Sequence, residues 1–168
     1  MSGTNTLPDT ERDPADRVRA QWLDQHQQQI WRTYLLGSSR LTERLDADLR
    51  RHGLDLGEYE ILVVLEETPT RRVRMSELAE AVHQSRSRLT HTVARLEKRG
   101  LVTRVMCPED RRGVWAELTE AGFQLLKTAA PSHVTAVRQN FVEAVDPADF
   151  EALGRVFQAV LDVDSDGA

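Results

Sequence analysis

The chain has 168 residues, 40% of them hydrophobic, and a formal net charge of −5 at pH 7. No apolar run approaches the roughly 18 residues of a membrane-spanning helix, and the first residues lack the apolar core of a secretory signal. The single cysteine, Cys107, excludes an internal disulfide and any paired-cysteine metal or redox motif. These features favour a cytoplasmic protein built as one domain or one obligate protomer.

The charge is unevenly distributed along the chain. Residues 71–112 contain eleven lysines and arginines against five acids, a net charge of +6, which leaves −11 for the rest. A basic segment on an acidic body suits a protein that binds nucleic acid through one face, because only that face must be positive.

The N-terminal part divides into a polar tail and a long helix. Residues 1–15 contain two prolines and no apolar periodicity, and we predict that they are disordered. Residues 16–51 contain no proline, and Ile30, Tyr34 and Leu41 begin an apolar series with four- or seven-residue spacing. The spacing predicts an amphipathic helix, with a separate first piece near Trp22, that is too long for one small domain to cover.

A second helix follows His52-Gly53. Asp55 with Glu58 three residues later predicts a capping box. The helix is apolar nearly all round, which predicts a buried, central position. Thr68-Pro69-Thr70 ends it, and residues 71–74 are predicted to form a short strand.

Residues 76–99 have the pattern of two short helices joined by a turn. We predict that Ser76 caps the first helix and Ser85 the second. The second helix buries Leu89, Val93 and Leu96, and Gly100 just past its end favours a left-handed C-cap.

The other face of the second helix carries hydrogen-bonding and basic side chains. A helix of this kind fits the major groove of DNA, where arginine can bond guanine and a threonine methyl can touch thymine. We predict that the DNA-contacting residues of this helix are Ser85, Arg86, Ser87, Arg88, Thr90, His91 and Arg95. Arg88 and Arg95 could equally be structural ion-pair partners, Arg95 through Glu97 or the acids of the preceding helix.

Two strands joined by a basic loop come next. Residues 101–105 and 114–118 are rich in β-branched and aromatic residues, and Pro108 and Gly113 mark a turn between them. We predict a hairpin, or wing, with Arg111 and Arg112 near its tip, where arginine can reach phosphates or a narrow minor groove.

The C-terminal part is predicted to be helical. Thr119 can cap a helix whose apolar residues run from Phe123 to Val145, with a kink or break at residues 127–131 because of Pro131. Asp146-Pro147 predicts the start of a last helix. The division predicted from these patterns is a tail (1–15), a helical dimerisation region (16–52 and 119–163) and a DNA-binding domain (53–118).

The segments MSELA, SRSRLTHTVARLEKRGLV and PEDRRGVWAELTEAG resemble the MarR family of bacterial transcriptional regulators, and the likeness extends over roughly residues 20–163. The resemblance implies a mainly α fold with a small β-wing (α+β): a winged helix-turn-helix with long N- and C-terminal helices that interlace in a homodimer. It implies that Arg112 reaches the minor groove, that Asp110 braces the wing, and that double-stranded DNA is the partner.

The resemblance also implies a small anionic or aromatic effector bound between the dimer helices and the winged module. Trp31, Arg32, Tyr34 and Arg40 on the first helix could serve such a site, although core packing also explains the two aromatic residues. No metal, cofactor or membrane partner is expected. Five scattered histidines form no metal-ligand motif, and Cys107 has only Arg104 nearby in sequence as an activating charge.

Two other functions compete with a ligand-responsive repressor that binds a pseudo-palindromic operator. One is a dimeric protein-interaction module whose winged helix binds no DNA, against which the basic face argues. The other is a small enzyme. The sequence lacks a glycine-rich phosphate loop and the common hydrolase and zinc motifs, and nothing in it brings a serine and a histidine together.

Overall fold

The computed structural model describes residues 21–107 and 113–163. The chain divides into two units at Leu36 and Gly37, inside the first helix. The elements, in chain order, are α1 (Gln25–Arg50), α2 (Leu56–Glu67), β1 (Arg72–Arg74), α3 (Met75–Ala81), α4 (Arg86–Lys98), β2 (Val102–Met106), β3 (Val114–Leu118), α5 (Glu120–Val137), a π-helical turn (Arg138–Val142) and α6 (Pro147–Leu161). The mainly α architecture with a small β-sheet agrees with the predicted fold class.

Helix α2 lies at the centre of the hydrophobic core, as its all-round apolar sequence predicted. Ile61, Leu62 and Leu65 are fully buried and pack in one cluster with the inward residues of α3, α4 and the sheet. The capping box is confirmed, since the Asp55 carboxylate accepts from Glu58 N at 2.8 Å and the Glu58 carboxylate accepts from Asp55 N at 3.1 Å.

Helices α3 and α4 form the predicted helix-turn-helix. Ser76 is not the cap of α3, because the helix begins at Met75 and Arg74 occupies the N-cap position, where its side chain makes no capping hydrogen bond. Ser85 caps α4 as predicted and accepts from Arg88 N at 3.2 Å. His83, in the turn, has a φ of 49°, a left-handed conformation that is unusual for a residue with a side chain.

The sheet has three antiparallel strands in the order β1-β3-β2. The short strand predicted at residues 71–74 pairs with β3, Val73 opposite Ala116, and β2 pairs with β3 from Val102 opposite Leu118. Strand β2 begins and ends one residue later than predicted, because Leu101 belongs to the turn after α4.

The start of α5 is attached to the turn between α4 and β2. Thr119 is the predicted N-cap and accepts from Gly122 N at 3.0 Å. Its hydroxyl lies 2.7 Å from the Gly100 carbonyl and 3.0 Å from that of Leu101. A β-carbon on Gly122 would collide with the Leu101 carbonyl oxygen, so this close approach requires glycine.

A kink or break was predicted at residues 127–131, and the break is wrong, since α5 runs without interruption from Glu120 to Val137. Pro131 is exposed, whereas Ala129, His133 and Ala136 on the opposite face are buried. Their packing maintains the helix across the hydrogen bond that the proline removes. The departure from α-helical geometry comes later, at Arg138–Val142.

Helix α6 begins as predicted, with Asp146 as the N-cap and Pro147 at the first position. None of its residues is buried in this chain, and Val156, Val160 and Leu161 are 58%, 62% and 74% exposed. The C-terminal half of α6 therefore presents apolar side chains on the surface of the single chain.

At the other end, α1 begins at Gln25, so Trp22 and Leu23 form no separate helical piece. The tail predicted for residues 1–15 lies outside the described residues.

Candidate nucleic-acid interface

Helix α4 has one buried face and one exposed face. Leu89, Val93 and Leu96 are almost fully buried against the core. All the residues predicted on this helix to contact DNA are exposed: Ser85, Arg86, Ser87, Arg88, Thr90, His91 and Arg95. The predicted division of α4 into a core face and a polar face is therefore present in the structure.

The first two turns of α4 present exposed arginines that form no ion pair with the described residues. Arg86 and Arg88 are exposed, and neither is in an ion pair within residues 21–107 and 113–163. The Thr90 hydroxyl donates to the Arg86 carbonyl at 2.8 Å, which leaves the Thr90 methyl group as its outward apolar end. These side chains can bond base edges or phosphates, and the methyl can contact a thymine.

Arg95 has different surroundings from Arg86 and Arg88. Its Nη2 lies 2.6 Å from Asp55 Oδ2, and its Nε lies 3.2 Å from Glu58 Oε1. The sequence predicted Glu97 or acids of the preceding helix as partners, but both observed partners lie at the start of α2. Arg99 Nη1 joins the same cluster, 3.2 Å from Glu58 Oε2.

Glu97 instead connects α4 to the wing. Its carboxylate accepts from the backbone N of Arg104 at 3.1 Å, and from Nε and Nη2 of that residue at 2.8 and 2.6 Å. The side-chain hydrogen bond from Arg104 is the main reason that the pKa of Glu97 is lowered. The pair fixes the end of α4 to β2.

Several arginines of the basic segment are engaged inside the module. Arg71 lies over the Phe123 ring at 3.9 Å and within 3.8 Å of Glu120. Arg72 lies 3.6 Å from Glu117, and the Trp115 ring lies 5.1 Å from Arg72. The sequence count of +6 therefore overstates the charge that this segment presents to a ligand.

Asp110, Arg111 and Arg112 lie outside the described residues, so their predicted roles remain predictions. The base of the wing is closed by Cys107 N, which donates to Gly113 O at 2.8 Å. Cys107 is buried, and Arg74 Nη2 lies 3.7 Å from its sulfur.

The residues predicted to hold an effector lie on α1. Trp31 and Tyr34 are exposed and stacked, with ring centroids 5.5 Å apart. Arg32 Nη2 lies 3.5 Å from Gln28 Oε1, and Arg40 is exposed further along the helix. Nothing in these contacts tests the prediction that they bind a ligand.

An apolar cleft of about 550 Å³, which the sequence did not predict, lies among α1, α2, the end of α3 and α5. Its lining includes Tyr59, Val63, Val64 and His133. His133 is 9% exposed, its Nδ1 has no hydrogen-bond partner among the described residues, and its ring lies 4.4 Å from that of Tyr59. Burial lowers the pKa of His133, although the nearby Asp48 acts in the opposite direction. Only the fold brings together residues separated by so much sequence.

The structure also places a serine beside a histidine, which the sequence did not suggest. Ser132 Oγ lies 2.8 Å from His52 Nε2, 3.0 Å from Asp48 Oδ2 and 3.2 Å from the Ala129 carbonyl. The Ser132 hydroxyl donates its proton toward the Asp48 carboxylate or the Ala129 carbonyl, which can only accept, and the oxygen can then accept from His52 Nε2. A catalytic histidine would have to accept that proton, which makes this a structural link between α1 and α5.

Within residues 21–107 and 113–163, no group of three or more potential metal ligands converges. In the same ranges, no helix has both the length and the apolar character needed to cross a bilayer.

A helix-turn-helix followed by an antiparallel hairpin, with one polar face on the second helix, defines a winged helix-turn-helix protein. Residues 52–113 match the MarR family. AbsC, a MarR family transcriptional regulator from Streptomyces coelicolor, is 42% identical with a TM-score of 0.80, and the match covers 84% of this chain and 96% of AbsC. Sco3205, a MarR family regulator from the same organism crystallised with DNA, is 42% identical with a TM-score of 0.82 and coverage of 86% and 92%.

The transcriptional repressor MprA of Escherichia coli K12 is 31% identical over 101 residues, which are 60% of this chain and 57% of MprA. The chain thus spans little more than half the length of that curated relative. The near-complete match to AbsC decides the family: this chain belongs to the MarR family.

Proposed function

We propose that the protein is a sequence-specific transcriptional regulator that binds double-stranded DNA as a homodimer, acting as a ligand-responsive repressor at a pseudo-palindromic operator. The observation that carries the proposal is the exposed polar face of α4, where Arg86, Arg88, Thr90 and His91 stand together on a helix fixed by its buried face. The DNA complex of Sco3205 supports this proposal.

The surface of α6 supports the homodimer. Val156, Val160 and Leu161 form an apolar stripe that is more than half exposed in the single chain. An exposed stripe of this length on a long helix is typical of a subunit interface. In a symmetric dimer the two copies of α4 are related by a two-fold axis and would enter successive major grooves, with half-sites about 10 bp apart.

Salt-dependent binding tests the DNA proposal against the protein-interaction alternative. We expect the chain to bind duplex DNA with an affinity that falls steeply as salt rises, because its arginines displace phosphate counterions. Footprinting should show two protected half-sites. Failure to bind any duplex at low salt would favour the interaction module.

Arg112→Ala tests the wing. We expect weaker operator binding and a salt slope reduced by about 1, as for the loss of one phosphate-region charge. Affinity that stays unchanged across a salt series would remove Arg112 from the interface.

The cleft beside His133 supports regulation by a small effector. Its walls are mainly apolar, with the polar side chains of Glu60, His83 and His133 among them, a combination common in small-molecule sites. A ligand there could shift the DNA-binding state only through different affinities for the two states. A thermal-shift screen of aromatic acids, followed by DNA competition, tests this. Stabilising compounds that all leave DNA affinity unchanged would contradict it.

A further inference from the structure

Glu58 is a buried carboxylate at the point where α2 meets α4. It is 5% exposed, although it lies in the first turn of α2. Its two oxygens accept from Arg95 Nε, Arg99 Nη1 and the backbone N of Asp55, at 3.2, 3.2 and 3.1 Å. One side chain thus closes the capping box of α2 and holds two arginines of α4.

The cluster is balanced in charge. Asp55 and Glu58 supply two negative charges, and Arg95 and Arg99 supply two positive charges within 3.2 Å of them. Arginine is suited to such sites because its planar fork can bond two acceptors in a fixed geometry. Arg95 directs Nε and Nη2 toward the start of α2, and Arg99 directs Nη1 toward it.

We propose that Glu58 is a positioning residue for DNA recognition: it fixes the pose of α4 on α2 and keeps Arg95 and Arg99 directed away from the phosphates. This inference rests on the proposed function. It divides four arginines into a reading group, Arg86 and Arg88 in the first turn of α4, and an anchoring group, Arg95 in its last turn and Arg99 at its C-cap.

The geometry explains why packing alone is insufficient. Leu89, Val93 and Leu96 bury one face of α4, but apolar contact has no directional preference and tolerates small rotations and slides. Arg95 and Arg99 are one helical turn apart, so two directional attachments lie along the axis of the helix. They fix its rotation, and a small rotation would misplace every side chain that meets a base edge.

The test compares two DNA probes and four variants. One probe is a duplex selected by the wild-type protein from a random library, and the other is a duplex of mixed sequence. The variants are Glu58→Gln, Arg99→Gln, Arg88→Gln and the control Glu66→Gln. Glu66 is exposed on the same helix, so its variant removes the same charge without touching the cluster. Melting curves, together with titration of the fraction of protein that can bind DNA, limit the comparison to folded protein.

We expect Glu58→Gln to reduce the preference for the selected duplex about tenfold, comparable to one well-placed base contact. The salt slope on the mixed duplex should not decrease, because no phosphate contact is removed. Glu66→Gln should keep the wild-type preference. A purely structural role for Glu58 would lower the melting temperature of Glu58→Gln and leave its preference unchanged, which would overturn the inference.

Arg99→Gln is a second test that disturbs the cluster less, because Glu58 keeps Arg95 and the Asp55 amide as partners. We expect its salt slope to equal that of the wild type, whereas Arg88→Gln should lose about 0.9 of slope if Arg88 contacts one phosphate. The combined Glu58→Gln/Arg99→Gln variant should lose no more preference than Glu58→Gln alone, since both changes break one cluster.

A loss of about 0.9 in the salt slope of Arg99→Gln would show that Arg99 contacts a phosphate. That result would overturn this inference and leave the proposed function standing. Absence of any salt-dependent binding by the wild type would instead overturn the proposed function.

Discussion

Helices α2 and α6 are both rich in apolar residues, yet they occupy opposite environments. In α2, Ile61, Leu62 and Leu65 are fully buried, whereas in α6 Val160 and Leu161 are more than half exposed. The difference lies in their patterns: α2 is apolar on nearly every side, and α6 carries one stripe. The apolar residues of α2 are buried within the chain, whereas the stripe on α6 can be buried only against a further surface.

Shortening a buried side chain of the central helix should have the largest effect on stability. We expect Leu62→Ala to destabilise the fold by about 2–5 kcal/mol, since it leaves a cavity among fully packed side chains. Val160→Ala on α6 serves as the matched control and should change the stability of the chain's own fold by roughly 0.5 kcal/mol or less. Urea unfolding at a protein concentration low enough for all three proteins to be monomeric measures both. Equal losses would contradict the contrast between the helices.

The same contrast shows what local sequence determines. The caps at Asp55, Ser85, Thr119 and Asp146 were predicted correctly, because a cap needs only a side-chain oxygen and an amide two or three residues away. Ser76 shows the limit, since a strand ending at Arg74 feeds directly into α3 and moves its start.

Contacts between distant residues could not be predicted in this way. Arg95 finds its acids 40 and 37 residues earlier in the chain, so the neighbouring Glu97 was the wrong partner. The cleft at His133 likewise depends on how α5 packs against α2. Pro131 was expected to break α5 because the sequence does not show which residues of the helix pack tightly enough to compensate.

A charge on the exposed stripe should have an intermediate effect. We expect Val160→Asp to leave the melting temperature of the isolated chain nearly unchanged and to weaken self-association, because it places a carboxylate in the middle of an apolar contact. Light scattering should report a mass close to one chain at concentrations where the wild type has twice that mass. Gln158→Asp, on the same helix, is the control for added charge. A wild-type mass of one chain would remove the reason for distinguishing α6 from an ordinary surface helix.

Titration of His133 should have the smallest effect. Burial lowers its pKa in the folded chain, so the unfolded chain binds a proton first as the pH falls. The stability contributed by the neutral ring is complete above its ordinary pKa of about 6.5 and is lost as the pH falls through the lower folded value. Between about pH 7 and pH 5, the melting temperature of the wild type should fall more than that of His133→Gln. If the melting temperatures of the two proteins fall in parallel with pH, the His133 ring does not contribute to the pH dependence of stability.

The attachment of α5 to the turn after α4 determines which residues can change independently. Thr119 and Gly122 meet the backbone carbonyls of Gly100 and Leu101, and no side chain of the exposed face of α4 takes part. Residues such as Arg86, Ser87 and His91 can therefore be replaced while this joint keeps its geometry. On the proposed function, related chains could acquire new operator sequences by exchanging those side chains while the connection between α4 and α5 stays the same.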